Sequence, residues 1–326
     1  MRCCSCSPDS RSRSSRGVSR VDRREYSRRR RPGWMFCSTV IPTIGRDTLA
    51  RAVNSVLDQE FSAAAFEVIV VNDSGKPLRA EPWQSSERVT VLTTQRRERS
   101  VARNAGAAIA RGRFLHFLDD DDVLLPGALA AFWQLSQTTG AIWLYGAYET
   151  VDNDGNRVNA FAPELAGNVF AWLVAGESIP LQASLVRADR VRAVGGFDPE
   201  LVGVEDRDLG RRLALDGEVA GMSASVARIR VGRLGSTTDW SRIAELDRQG
   251  REKALREPGA LERARDSARS SYLRGRVCRA YLASAGWNAR RGGLLVAARR
   301  VMCAAIALVP ARTQPGLSRG LRVANQ

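Results

Sequence analysis

Three groups of acidic residues hold the chemistry legible in this chain: Asp73, the run Asp119-Asp120-Asp121-Asp122, and the pair Glu205-Asp206. The first two each follow an apolar run, and the third opens a stretch with helical periodicity. Adjacent carboxylates repel, each close pair by about 1 kcal/mol in water and about 4 kcal/mol at an effective dielectric near 20. A divalent cation offsets such a charge. Magnesium or manganese suits an all-oxygen site built from a few carboxylates and the phosphates of a substrate. The run also fits a solvated acidic turn. A carboxylate at a helix N-terminus is stabilised as the anion and can accept a proton near neutral pH, or it can serve only as an acidic cap.

The elements that must position these groups alternate short apolar runs with helical periodicity from Phe36 onward. That alternation predicts an α/β fold, a mixed and mostly parallel sheet flanked by helices. The first strand is expected over residues 37–41, stopping at Pro42, with Asp47 as N-cap of a helix whose Leu49, Ala52, Val53, Val56 and Leu57 share one face. Further strands are expected over 66–71, 89–93 and 113–118, with a helix over 99–110 between the last two. Pro126 suits the first turn of a helix to Gln137. Residues 152–155 read as a hairpin turn between strands 141–151 and 157–161. A helix over 165–175, a strand over 181–186 and a helix over 206–215 follow. In open parallel sheets ligands bind outside the carboxyl ends of the strands, where Asp73 and the aspartate run fall.

The chain has 326 residues and a net charge of +15. Residues 1–34 hold eleven Arg against Asp9, Asp22 and Glu25, so +8 of that excess lies there. This Ser/Arg-rich stretch lacks apolar periodicity and reads as a disordered tail. It could serve as a phosphate-neutralising arm, or be absent from a protein started at Met35. It also lacks the apolar centre of a secretory signal, which leads us to expect a cytoplasmic protein. The three expected divisions are 1–34 (tail), 35–240 (catalytic domain) and 241–326 (basic, helical C-terminal extension). The longest nearly uncharged apolar run, residues 301–309, falls short of the roughly 20 residues a membrane-crossing helix needs. The single histidine, His116, reads as a strand residue, and no zinc spacing, nucleophile elbow, P-loop or dinucleotide fingerprint is present.

The order Thr39-Val40-Ile41-Pro42-Thr43, Val68-Ile69-Val70-Val71-Asn72-Asp73, Ala102-Arg103-Asn104-Ala105-Gly106, Phe117-Leu118 before the aspartate run, Gly195-Gly196-Phe197-Asp198 and Glu205-Asp206-Arg207-Asp208-Leu209 resembles glycosyltransferase family 2 over residues 36–235. The resemblance implies a GT-A fold and an inverting, metal-dependent transfer of sugar from a nucleotide-diphospho-sugar to an acceptor hydroxyl. It implies that Pro42 and Thr43 line the nucleotide pocket, that Asp73 hydrogen-bonds the base and that Arg103 lies near the nucleotide. Asp119 and Asp121 match the family's DxD motif, Asp121 as ligand of magnesium or manganese and Asp119 facing the ribose or donor sugar. Asp120 and Asp122 support them, and Asp206 matches the catalytic base. The implied partners are a UDP, GDP or dTDP sugar and a glycan or lipid-linked acceptor, in cell-envelope glycan or glycolipid synthesis.

Two departures from the family pattern stand out. No histidine occurs within residues 228–238 to complete a metal site, so Asp121 and the diphosphate would hold the metal alone, or Arg230 or Arg233 would meet phosphate directly. Asn72 stands where a second acidic residue is common. A nucleotidyltransferase using the aspartates and a basic nucleic-acid-binding protein are the competing readings. The first would ordinarily need a Gly-rich phosphate loop that the sequence lacks, and the second has its charge mostly in the two ends of the chain. Residues 287–309 read as one basic amphipathic helix, either packed on the catalytic domain or lying on an anionic membrane surface.

Overall fold

The computed structural model describes residues 35–94, 98–231, 240–267 and 271–308. The 1–34 tail and Arg233 lie outside the described residues. In chain order the elements are β1 (Met35–Thr43), α1 (Leu49–Leu57), β2 (Ala65–Asn72), β3 (Val89–Thr93), α2 (Arg99–Ile109), β4 (Phe114–Phe117), β5 (Val123–Leu124), α3 (Ala128–Thr138), β6 (Trp143–Val151) and β7 (Arg157–Phe161). They continue with α4 (Phe170–Val174), β8 (Ser184–Arg187), α5 (Ala188–Ala193), α6 (Glu205–Asp216), β9 (Val219–Arg230), α7 (Trp240–Arg256), α8 (Ala260–Ser267), α9 (Ser271–Arg290) and α10 (Leu294–Leu308).

One mixed sheet runs β3-β2-β1-β4-β8-β6-β9-β5, with β7 pairing β6 at an edge. The half β3-β2-β1-β4 is parallel throughout. β8 then runs antiparallel to both β4 and β6, while β6 and β9 are parallel. β1 and β2 are buried along nearly their whole length, as the β-branched runs require of strands covered on both faces.

β1 continues through Pro42 instead of stopping there. Its ladder with β4 ends at Val40, whose carbonyl accepts from Leu118 N on that side. Pro42, two residues on, faces the same side, so its missing N–H falls where no partner strand remains. The expected cap at Asp47 is also corrected. α1 begins one residue later, with Thr48 in the cap position and no side-chain capping bond, while Thr48 O accepts from Arg51 N and Ala52 N. Pro126 precedes α3 rather than opening it, because Gly127 takes a left-handed φ of 78° at the cap.

α2 is held close to β1 by Gly106. A Cβ there would stand 2.4 Å from Val40 Cγ1, so only glycine allows this approach. Ala254, Ala260, Ala264, Tyr281, Cys303 and Ala304 share one apolar core with Trp143, Leu173 and Leu213. The C-terminal helices therefore pack on the α/β body, and Arg211 of α6, fully buried, donates to Asp247 of α7 at 2.6 Å. The single helix expected over 287–309 is instead two, α9 and α10, separated by a turn in which Gly292 has a φ of 80°.

Candidate active site

The carboxyl ends of β1, β2 and β4 bring Thr43, Asp73 and the aspartate run to one edge of the sheet, and α6 aims its N-terminal Glu205-Asp206 at the same place. Thr43 links the first two strands to the acids. Its hydroxyl donates to Asp120 Oδ2 at 2.5 Å and accepts from Gly45 N at 2.9 Å. Its carbonyl accepts from Asp73 N at 2.8 Å. Asp73 is buried, with Oδ1 accepting from the Thr94 hydroxyl at 2.7 Å and Oδ2 from Glu98 N at 2.6 Å. Glu98 in turn caps α2 through Ser100 N and Val101 N. Asp73 thus fixes the entry to the helix that carries Arg103.

Arg103 is buried and divides its guanidinium between two acids. Nη2 meets Asp119 Oδ1 at 2.6 Å, and Nη1 meets Glu205 Oε1 at 3.1 Å. Arg99, one turn earlier, adds a 2.6 Å ion pair to the same Glu205 oxygen. Glu205 Oε2 accepts from Gly203 N at 2.7 Å, so this buried acid is neutralised and held by the protein alone. The other oxygen of Asp119 accepts from Gln182 Nε2 at 2.9 Å. Burial pushes the Asp119 carboxyl up, but the Arg103 charge and hydrogen bond, helped by Arg99 and Gln182, hold it below the usual range.

Asp120 is buried against Thr43 and Arg46 Nη1, the latter 2.5 Å from Oδ1. Burial raises its carboxyl despite these partners. Asp122 is buried too, and Oδ1 accepts from Arg230 N at 2.7 Å, tying the end of β4 to the end of β9. Burial and the neighbouring aspartates push it well up. Asp121 differs from these two: its side chain is partly open, with Arg46 Nη1 at 3.7 Å. Arg230 sends its guanidinium away from the acids to the carbonyl of Asn153, at 2.5 Å.

Asp206 reaches solvent beside this cluster, and its Oδ1 accepts from Arg207 N at 2.8 Å. The crowding protein around it and the adjacent Glu205 raise its pKa, against the opposing pull of Arg103 and Arg207. A carboxylate so placed is suited to take a proton. The two motifs between the acids also meet. Asn104 accepts from Phe197 N and donates to Phe197 O, both at 2.8 Å, while Phe197 packs edge-on to Phe117 at 4.9 Å.

The structure brings Pro42, Thr43, Asp73, Arg103, Asp119, Asp120, Asp121 and Asp206 to one sheet edge. Sequence reasoning missed Arg46, Arg99 and Gln182. The two arginines sit in an ordinary turn and an ordinary helix face, and Gln182 lies in a 3-10 turn before β8 with no motif around it. Their roles come from strand order, which periodicity does not report.

Among the described residues, no three His, Cys, Asp or Glu side chains are arranged to hold a metal by themselves. The donor set that remains is Asp121 with the aspartates beside it. It fits a magnesium or manganese ion that draws most of its ligands from substrate phosphates and water.

A parallel half-sheet with its acids at the carboxyl ends and a carboxylate at a facing helix terminus is an arrangement of GT-A type. Residues 38–168 match the family model described as glycosyl transferase family 2. The chain is 27% identical over 117 residues to the poly(ribitol-phosphate) beta-N-acetylglucosaminyltransferase TarP of Staphylococcus aureus, covering 34% of this chain and 36% of the relative. It is 28% identical over 131 residues to the UDP-Glc:alpha-D-GlcNAc-diphosphoundecaprenol beta-1,3-glucosyltransferase WfgD of Escherichia coli, covering 39% of this chain and 51% of the relative. The chain therefore spans about a third to a half of the length of these relatives. The crystal structure of S. aureus TarS in complex with UDP-GlcNAc superposes with a TM-score of 0.62 at 16% identity, covering 89% of this chain and 88% of that one, which establishes the shared fold.

Proposed function

We propose that this protein is a metal-dependent, inverting glycosyltransferase that moves a sugar from a UDP-sugar to an acceptor hydroxyl, the acceptor being a glycan or a lipid-diphosphate-linked saccharide of the cell envelope. One observation carries the reading. Asp206 stands open to solvent next to an acid cluster whose other members, Asp119, Asp120, Asp122 and Glu205, are already committed to protein partners. Asp206 is thus the carboxylate placed to accept a proton, with the partly open side chain of Asp121 in the aspartate run beside it.

In this reading Asp206 takes the proton from the acceptor hydroxyl as its oxygen bonds to the anomeric carbon, and the bond from that carbon to the diphosphate oxygen breaks. A single displacement inverts the anomeric configuration, and the nucleoside diphosphate leaves with the electron pair. Pro42, Thr43 and Asp73 border the nucleotide. Arg103 sets the position of Asp119 beside the donor sugar. Asp121, with Asp119 or Asp120 beside it, would hold a magnesium or manganese ion, which when bound neutralises charge growing on the diphosphate.

The test is thermal stabilisation by UDP, GDP and dTDP with and without manganese, for wild type and Asp121→Asn. A ligand at about 100 times its Kd stabilises the fold by about 2.7 kcal/mol. The reading expects stabilisation by UDP that requires manganese and is lost in Asp121→Asn. No stabilisation by any nucleotide sinks it. Stabilisation by GDP or dTDP alone corrects the donor.

A further inference from the structure

The hairpin of α9 and α10 carries a surface that nothing else in the fold explains. α10 buries Ala297, Cys303, Ala304 and Ala307 on the side that packs against α9. Its opposite side is apolar as well: Leu294, Leu295, Ala298, Val301, Met302 and Ala305 all face solvent at helical spacing. Leu295 is 89% exposed, Leu294 69% and Met302 58%. An aqueous helix face is ordinarily charged, and large contiguous apolar exposure marks a contact surface.

Charge selects the contact. Residues 271–308 contain seven Arg and no Asp, Glu or Lys. Arg290 and Arg291 are exposed at the turn that leads into Leu294, and Arg299 is exposed on the flank of α10. The Arg291 guanidinium lies 4.0 Å from the ring centroid of Trp287, placing an aromatic with a polar edge at the boundary between the basic turn and the apolar stripe. An apolar stripe bordered by arginines and an interfacial tryptophan, without one acidic side chain, complements an anionic lipid surface. At 15 residues α10 rises about 22 Å, too short to cross a bilayer core of about 30 Å. Indeed, no helix among the described residues is long and apolar enough to cross a membrane.

We infer that the outer face of α10, entered through Arg290 and Arg291, docks the protein flat on an anionic membrane surface, with Leu294, Leu295 and Met302 inserted among the lipid headgroups. This stands apart from the catalytic reading, because docking needs neither donor nor metal.

Co-sedimentation of the full chain with phosphatidylcholine vesicles, with and without phosphatidylglycerol, tests the inference. Binding to the phosphatidylglycerol vesicles alone is expected, falling as salt rises. The charge-neutral pair Leu294→Ser, Leu295→Ser is expected to weaken it about tenfold or more. Arg290→Gln and Arg291→Gln should each weaken it about fivefold. Both leucines are exposed, so the pair should melt with wild type, and Met302→Ser gives the same readout one turn further along. Absence of binding overturns the inference. So does equal binding by wild type and the leucine pair, which would assign the contact to basic segments elsewhere. A wild-type dimer that the leucine pair converts to monomer, without vesicle preference, would assign the stripe to a second copy of the chain and also overturn it.

Discussion

Arg103 and Glu205 are 102 positions apart in the chain, yet a guanidinium nitrogen of one lies 3.1 Å from a carboxylate oxygen of the other. This contact joins α2 to the N-terminus of α6 and so sets where Asp206 stands relative to the aspartates after β4. Both side chains are buried, so the contact offsets part of the cost of burying each charge, together with Arg99 on Glu205 and Asp119 on Arg103.

Arg103→Ala should therefore destabilise the fold by up to about 3–5 kcal/mol, since it takes from buried Glu205 one of its two arginines and from Asp119 its charged hydrogen-bond partner. Arg103→Lys should recover little, because one ammonium cannot reach both acids as a planar fork does. Urea unfolding of the three proteins checks this. A lysine variant as stable as wild type would show that the fork geometry is immaterial.

Asp206→Asn should leave the melting temperature and UDP binding nearly unchanged while lowering kcat by about 10²–10⁴. The raised pKa of Asp206 gives a sign for pH: a proton occupies the base on acidification, so kcat/KM should fall as pH is lowered. Comparing sugar transfer with UDP binding across pH separates the two effects, and a variant that loses both equally would place Asp206 in donor binding instead.

His116 is fully buried, and burial lowers its pKa from 6.5 to about 4. Its Nε2 donates to Gln182 O at 2.9 Å, which leaves Nδ1 to accept from the Thr39 hydroxyl at 3.2 Å. The unfolded chain binds the proton first on acidification. Stability from this group is thus complete above pH 6.5 and is lost as pH falls towards 4, by about 2 kcal/mol at pH 5. Urea midpoints from pH 7 to 5 should fall less steeply in His116→Asn than in wild type, and parallel slopes would refute the assignment.

Gly106→Ala would put a methyl 2.4 Å from Val40 Cγ1 and 3.1 Å from Val71 Cγ2, wedging α2 off the sheet. A cost of about 1–3 kcal/mol is expected. Val40→Ala alone should destabilise through its cavity. Combined with Gly106→Ala it should cost less than the sum, because the new methyl enters the space that Val40 vacates. Strict additivity in thermal unfolding would contradict the close packing.

The sequence by itself determined most local elements of the α/β part and where its acids fall along the chain. The β-branched run 66–71 is the buried strand expected of it, α2 spans Arg99–Ile109 against an expected 99–110, and the hairpin at 152–155 joins β6 to β7 as its turn residues require. Those signals are local, so periodicity and turn chemistry carry them. β9, twelve residues long, gave no comparable signal, since its Val219–Arg230 run alternates weakly and pairs with residues nearly 80 positions earlier. Only the tertiary structure decided that Glu205 is a buried strut while Asp206 is open, that Arg46 and Gln182 hold Asp120 and Asp119, and that α10 turns its apolar stripe outward. Each of these depends on which strand lies beside which and which helix face is covered. Contacts between distant segments fix that, and adjacent residues carry no record of it.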